Sequence, residues 1–165
     1  MVLTSFSQQY TEYEVKSAYL YNFAKFINWP EDCKKTKKFI IGVYGENKFN
    51  DDLHKTLNGR KILDKDWELV VFDNPKKINC HILLVTETDI DKLNDLFKYL
   101  KDEPILTIGD NISAFCEKGG IINFTPKGDS KQFEINNDAA KRVHLTISSK
   151  LLAIAKIVTD EEDIF

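Results

Sequence analysis

In this chain a few side chains would have to supply any chemistry. The candidate metal ligands are His54, His81, His144, Cys33, Cys80 and Cys116. The histidines lie far apart in sequence, and no ligand spacing typical of a zinc site appears. Cys80 and His81 are adjacent, and neighbours in a strand point to opposite faces, so the two cannot share an ion. They read instead as a small buried thiol beside a hydrogen-bonded imidazole. Ser148-Ser149 lacks a G-x-S-x-G elbow and stands where a helix should begin, which suits capping. No local signature supports a Cys-His-Asn arrangement. Gly45-Glu46-Asn47 is neither a Walker loop nor a dinucleotide fingerprint, and Gly119-Gly120 precedes a strand, so neither aims a helix N-terminus at a phosphate. No catalytic residue, metal or cofactor is therefore expected.

One carboxylate is placed to bind something. Asp110 follows ILTIG, just past the carboxyl end of a predicted central strand. Ligands in open α/β sheets sit beyond those ends. Gly45 ends another strand at a comparable edge, so a ligand crevice between Gly45 and Asp110 is one reading. The other is that Asp110 caps the helix predicted after it.

The elements that must position these groups follow from apolar spacing. Tyr13 to Asn28 reads as a helix with Val15, Tyr19, Leu20, Phe23, Ala24, Phe26 and Ile27 on its core half and Ser17 on the other. Trp29-Pro30 ends it. Phe23, Phe26 and Trp29 are expected to be structural. Short β-branched runs predict strands at Phe39–Tyr44, Trp67–Phe72, His81–Val85 and Ile105–Ile108. Helices are predicted between them over 47–58 and 88–100, and a short one over 111–118. Ile121–Phe124 and Gln132–Ile135 read as a hairpin around Lys127-Gly128-Asp129. A helix over 137–143, a strand over 145–147 and a last helix ending near Val158 complete the chain. The alternation predicts an α/β domain: a mostly parallel sheet with an antiparallel edge hairpin and helices on both faces. One domain over 13–158 is expected, between a flexible stretch 1–12 and a fraying acidic tail 159–165.

Composition narrows the function. Lys+Arg 23 against Asp+Glu 26 gives a net charge of −3 in 165 residues. A nucleic-acid binder would show a concentrated basic excess, and none is visible. No run of about 18 apolar residues is present. The start, MVLTSFSQQYTEYE, has no basic, apolar leader pattern. Three cysteines leave at least one free or linked between chains.

Six segments together resemble the YfiR/HmsC-like family of periplasmic signalling proteins. They are VKSAYLYNFAKFINWP (15–30), CHIL (80–83), LTIGD (106–110), GGII (119–122), FEIN (133–136) with Ala139-Ala140, and ISSKLL (147–152). The resemblance implies a single α/β domain, export to the periplasm with the signal peptide absent from this chain, and no enzymatic activity. It implies a protein that binds the periplasmic domain of a membrane diguanylate cyclase and represses it, and an OmpA-like outer-membrane lipoprotein that draws the repressor away. Family cysteines matching Cys80 and Cys116 form disulfides, with partner positions at Gly42 and Asn123. Since neither is cysteine here, no intramolecular disulfide is expected, and Cys80 and Cys116 should be buried and inert.

A repressor of this kind needs an exposed apolar surface. The stretch Lys150 to Val158 is apolar almost all round if helical. Ile154 and Ile157 are the candidate contacts for the cyclase, for a second copy in a homodimer, or for the N-terminal helix. Lys141 and Arg142 would steer an acidic target.

Overall fold

Thr11 starts the first helix. Its Oγ1 accepts from the Glu14 amide at 3.1 Å, satisfying an N–H that the first turn leaves without a backbone partner. A computed structural model of the chain describes residues 9–161 and carries this helix, α1, over Glu12–Phe26. Ile27 then turns to extended backbone ahead of Pro30, and Ile27–Asn28 form the short strand β1. The chain continues through α2 (Glu31–Lys34), β2 (Phe39–Tyr44), α3 (Asn50–Leu57), β3 (Trp67–Phe72), β4 (Ile82–Val85), α4 (Ile90–Leu100) and β5 (Leu106–Gly109). The last part holds β6 (Ile122–Phe124), β7 (Phe133–Ile135), α5 (Asn137–Arg142), β8 (Thr146–Ile147), α6 (Ser149–Ile154) and β9 (Lys156–Ile157).

Seven strands form one sheet in the order β3-β2-β4-β5-β6-β7-β9. All its pairings are parallel except β6 with β7. The chain leaves β2 for β3 on one side and returns for β4 on the other, so the order reverses at β2. β1 and β8 pair separately and antiparallel, Ile27 opposite Ile147. Alternation along β4 splits the core: Ile82 and Leu84 join α1 and α3 on one face, while Leu83 and Val85 join α4 on the other. The fold is thus the expected mostly parallel α/β sheet with helices on both faces. The antiparallel hairpin is present, and β9 adds one more short strand outside it.

Three local expectations fail. No helix forms over 111–118, because Asn111 and Ala114 have positive φ (55° and 54°). Asn123 instead holds this stretch, accepting from the Ile112 amide at 3.0 Å and donating to its carbonyl at 2.9 Å. The last helix does not reach Val158. It stops at Ile154, and Lys156 and Ile157 pair with Glu134 and Ile135 of β7. An all-round apolar run gives no periodicity to separate helix from strand. Finally, the buried face of α1 is rotated from the expected half. Lys16, Ser17, Leu20, Phe23 and Ala24 are buried, whereas Val15 and Phe26 are 42% and 36% exposed. Phe26 is therefore not a core residue. Trp29 is, with Nε1 donating to the Ala24 carbonyl at 3.1 Å.

Candidate functional site

The carboxyl ends of β2, β4 and β5 carry Gly45, Thr86 and Asp110. Gly45 has φ +111°, and a Cβ there would stand 2.5 Å from the Glu87 nitrogen and the Thr86 Oγ1, so only glycine fits. Asp110 caps nothing. Its carboxylate accepts from the Lys16 Nζ at 2.5 Å and from the Tyr13 hydroxyl at 2.8 Å. Lys16 also reaches Glu12 at 2.5 Å and lies over the Phe124 ring, 5.4 Å from its centroid. The Lys16 and Asp110 side chains are only 10% and 8% exposed. Burial, with the Asp110 hydrogen bond second, pushes the Tyr13 phenol well above its ordinary value. The first turns of α1 are thus tied to the edge where a ligand of this sheet type would sit. Sequence reasoning missed Lys16 and Tyr13. The signal was available: Lys16 is in helical register with Leu20, Phe23 and Ile27, and a lysine on a core face needs a buried carboxylate.

The opposite edge of the sheet holds His81. Its Nδ1 accepts from the Ile40 amide at 3.0 Å, which leaves Nε2–H to donate to the Cys33 carbonyl at 3.1 Å or the Thr36 hydroxyl at 3.0 Å. The ring stacks on Phe39 at 4.5 Å. Burial pulls its pKa below the ordinary 6.5. A histidine depressed in the folded state takes up its proton more readily when unfolded. Its stabilising contribution is complete above pH 6.5 and is lost as pH falls toward the folded value. Thermal unfolding followed between pH 7.5 and pH 5 should therefore show a declining Tm, with a shallower slope in His81→Gln. Equal slopes would show that His81 does not report pH.

All three cysteines are free. Cys80 and Cys116 are buried, and Cys33 is half-buried. Burial pushes the Cys80 thiol up to about 12 and raises Cys116 as well, so neither provides a ready thiolate at neutral pH. A Cβ on Gly42 would lie 2.9 Å from the Cys80 Sγ, so positions 42 and 80 are in direct contact as the resemblance implies.

The far edge of the sheet collects the remaining candidates. Ile154, at the end of α6, is 55% exposed, and Ile157, in edge strand β9, is 53% exposed. Lys141 is exposed on α5. Arg142 is not a free cation: it grips Asp160 through two hydrogen bonds of 2.7 and 3.0 Å, which hold that carboxyl below its usual range. Asn136 also donates to Asp160, at 2.8 Å. The start of the acidic tail is therefore pinned, while residues 162–165 lie outside the described part of the chain. Gly45 and Asp110 thus share the carboxyl edge, and the isoleucines mark a separate surface.

These features define an α/β domain whose first helix is ion-paired across the carboxyl edge of its sheet and whose last strand, Lys156–Ile157, is an edge strand among the described residues. The chain belongs to the YfiR/HmsC-like family, whose model matches residues 13–156. A comparison with curated proteins found no match. Membership supports a general role as a periplasmic regulator of a diguanylate cyclase; the family consists of regulators rather than enzymes. Among the described residues, no helix is long and apolar enough to cross a membrane, and no three His, Cys, Asp or Glu side chains are grouped to hold a metal.

Proposed function

We propose that this protein represses a membrane diguanylate cyclase by binding the cyclase's periplasmic sensor domain along the β9 edge. The exposure of Ile154 and Ile157 beside a strand edge that is unpaired among the described residues carries this reading. Lys156 charges this two-residue edge, as soluble domains commonly do, while the two isoleucines leave apolar surface beside it for a partner. Lys141 supplies the steering charge, since Arg142 is already neutralised by Asp160. An OmpA-like outer-membrane lipoprotein competing for the same edge would relieve repression. A ligand between Gly45 and Asp110 is the alternative, and it would have to displace Lys16 from Asp110. The test is cyclase output in cells that make the cyclase with and without this protein in the periplasm. Cyclic-di-GMP should fall when it is present, and Ile157→Asp should restore the unrepressed level. Unchanged cyclic-di-GMP on adding the wild-type protein would overturn the reading.

A further inference from the structure

Helix α1 carries a second, largely apolar stripe that is exposed along much of its length. Val15, Ala18, Asn22 and Phe26 follow one another at spacings of three and four, on the side turned away from the buried Leu20, Phe23 and Ala24. Val15 is 42% and Phe26 36% exposed, and Ala18 and Asn22 are exposed as well. A helix packed on one sheet needs a single stripe, so the second is surplus to folding. An open groove of about 490 Å³ lies beside it, with Val15, Ala18 and Asn22 on one wall, Thr56 of α3 and Arg60 just beyond that helix on the other, and Tyr10 and the Glu14–Lys55 pair also lining it.

The rim of this stripe is cationic. Glu14 is paired with Lys55, while Glu12 shares the single charge of Lys16 with Asp110, so the cations Lys25, Arg60 and Lys127 outnumber the carboxylates left over by three to one. Lys25 and Arg60 flank the Tyr21 ring at 4.0 and 5.4 Å, and Lys25 pulls the Tyr21 phenol below its ordinary value. Lys127 stands on the opposite flank, beside Val15 and Tyr19. Among the described residues, Lys25, Arg60 and Lys127 have no carboxylate within 4.0 Å.

We propose that the outer face of α1 is a docking surface for an acidic amphipathic helix in a partner protein. The three-four spacing suits a helix laid along the groove, with apolar anchors over Val15 and Phe26 and carboxylates toward Lys25, Arg60 and Lys127. A second copy of the chain fits less well. A two-fold interface would bring the same cationic rim together from both sides. This surface is separate from the β9 edge, so it stands or falls independently of the repression reading.

The experiment uses two labelled helical peptides, each with leucine at heptad positions a and d. One carries glutamate at e and g, the other lysine. Binding to the full chain is followed by fluorescence anisotropy. The glutamate peptide should bind at least about tenfold more tightly than the lysine peptide, with the gap narrowing in high salt. Val15→Asp, a change at an exposed position, should abolish binding while leaving Tm within a few degrees. The double variant Lys25→Glu/Arg60→Glu should reverse the order of the peptides. Equal affinities, no binding, or unaltered binding to Val15→Asp would each overturn the proposal. So would a concentration-dependent dimer in sedimentation that Val15→Asp dissolves, since that would make a second copy the occupant.

Discussion

Phe23→Ala should cost about 3–5 kcal/mol, seen as a fall in Tm of roughly 10 °C. Phe23 has no solvent exposure and sits at the centre of an aromatic cluster. Its ring meets Phe133 edge-on at 4.9 Å, Tyr19 at 5.9 Å and Phe124 at 6.0 Å. Those partners come from α1, β6 and β7, so one side chain ties the first helix to the antiparallel end of the sheet. Truncation would open a cavity that three large rings cannot close without leaving their rotamers. Phe26→Ala is the matched control. Its partial exposure predicts a loss smaller by a factor of two or more. An unchanged Tm in Phe23→Ala, or equal losses in both variants, would show that the buried face of α1 is misassigned.

Asp110→Ala should destabilise the chain by about 2–3 kcal/mol in denaturant unfolding. The change leaves the Lys16 ammonium, 10% exposed, with only Glu12 to answer it. Removing one member of a buried pair strands the other charge, and the desolvation it paid on folding is no longer offset. Glu12, 62% exposed, shares its charge with water and compensates only in part. The diagnostic is the double variant Lys16→Met/Asp110→Leu. With both charges gone and apolar volume kept, it should be more stable than Asp110→Ala alone. A double variant whose loss equals the sum of the two single losses would mean that the two groups do not act as a pair.

Most of the sheet was legible in the sequence because its strands are short β-branched runs between strong stops. Phe39–Tyr44 and Trp67–Phe72 stand where the sequence puts them. What failed had a physical reason each time. The stretch after Asp110 looked helical by composition, but its conformation is set by the Asn123 amide across the sheet, a contact eleven residues away. The C-terminal run Leu151 to Val158 is apolar almost all round, Lys156 being its one polar residue, so the change from α6 to β9 leaves no trace in its pattern. On α1, two apolar stripes compete. Hydrophobicity alone cannot say which one the sheet takes; Lys16 decides it, because its partner Asp110 fixes the rotation of the helix. The candidate site was legible in part. Asp110 and Gly45 lie along the same edge of the sheet with the end of β4 between them, and the lysine and tyrosine that hold Asp110 come from 94 and 97 residues earlier. Arg142 reads as a free steering charge in the sequence, where nothing marks Asp160, 18 residues on, as its partner.

We propose the β9 edge as the surface through which this protein meets a cyclase. Titration calorimetry of the cyclase's periplasmic domain against wild-type protein, Ile154→Asp and Ile157→Asp measures it directly. Both side chains are more than half exposed, so both variants should keep the wild-type Tm. A saturable 1:1 complex is expected for the wild type, weakened at least about tenfold in Ile157→Asp, as for a residue at the centre of a contact. Binding that survives in both variants at wild-type affinity, with both folded, would contradict the assignment of the partner surface to this edge.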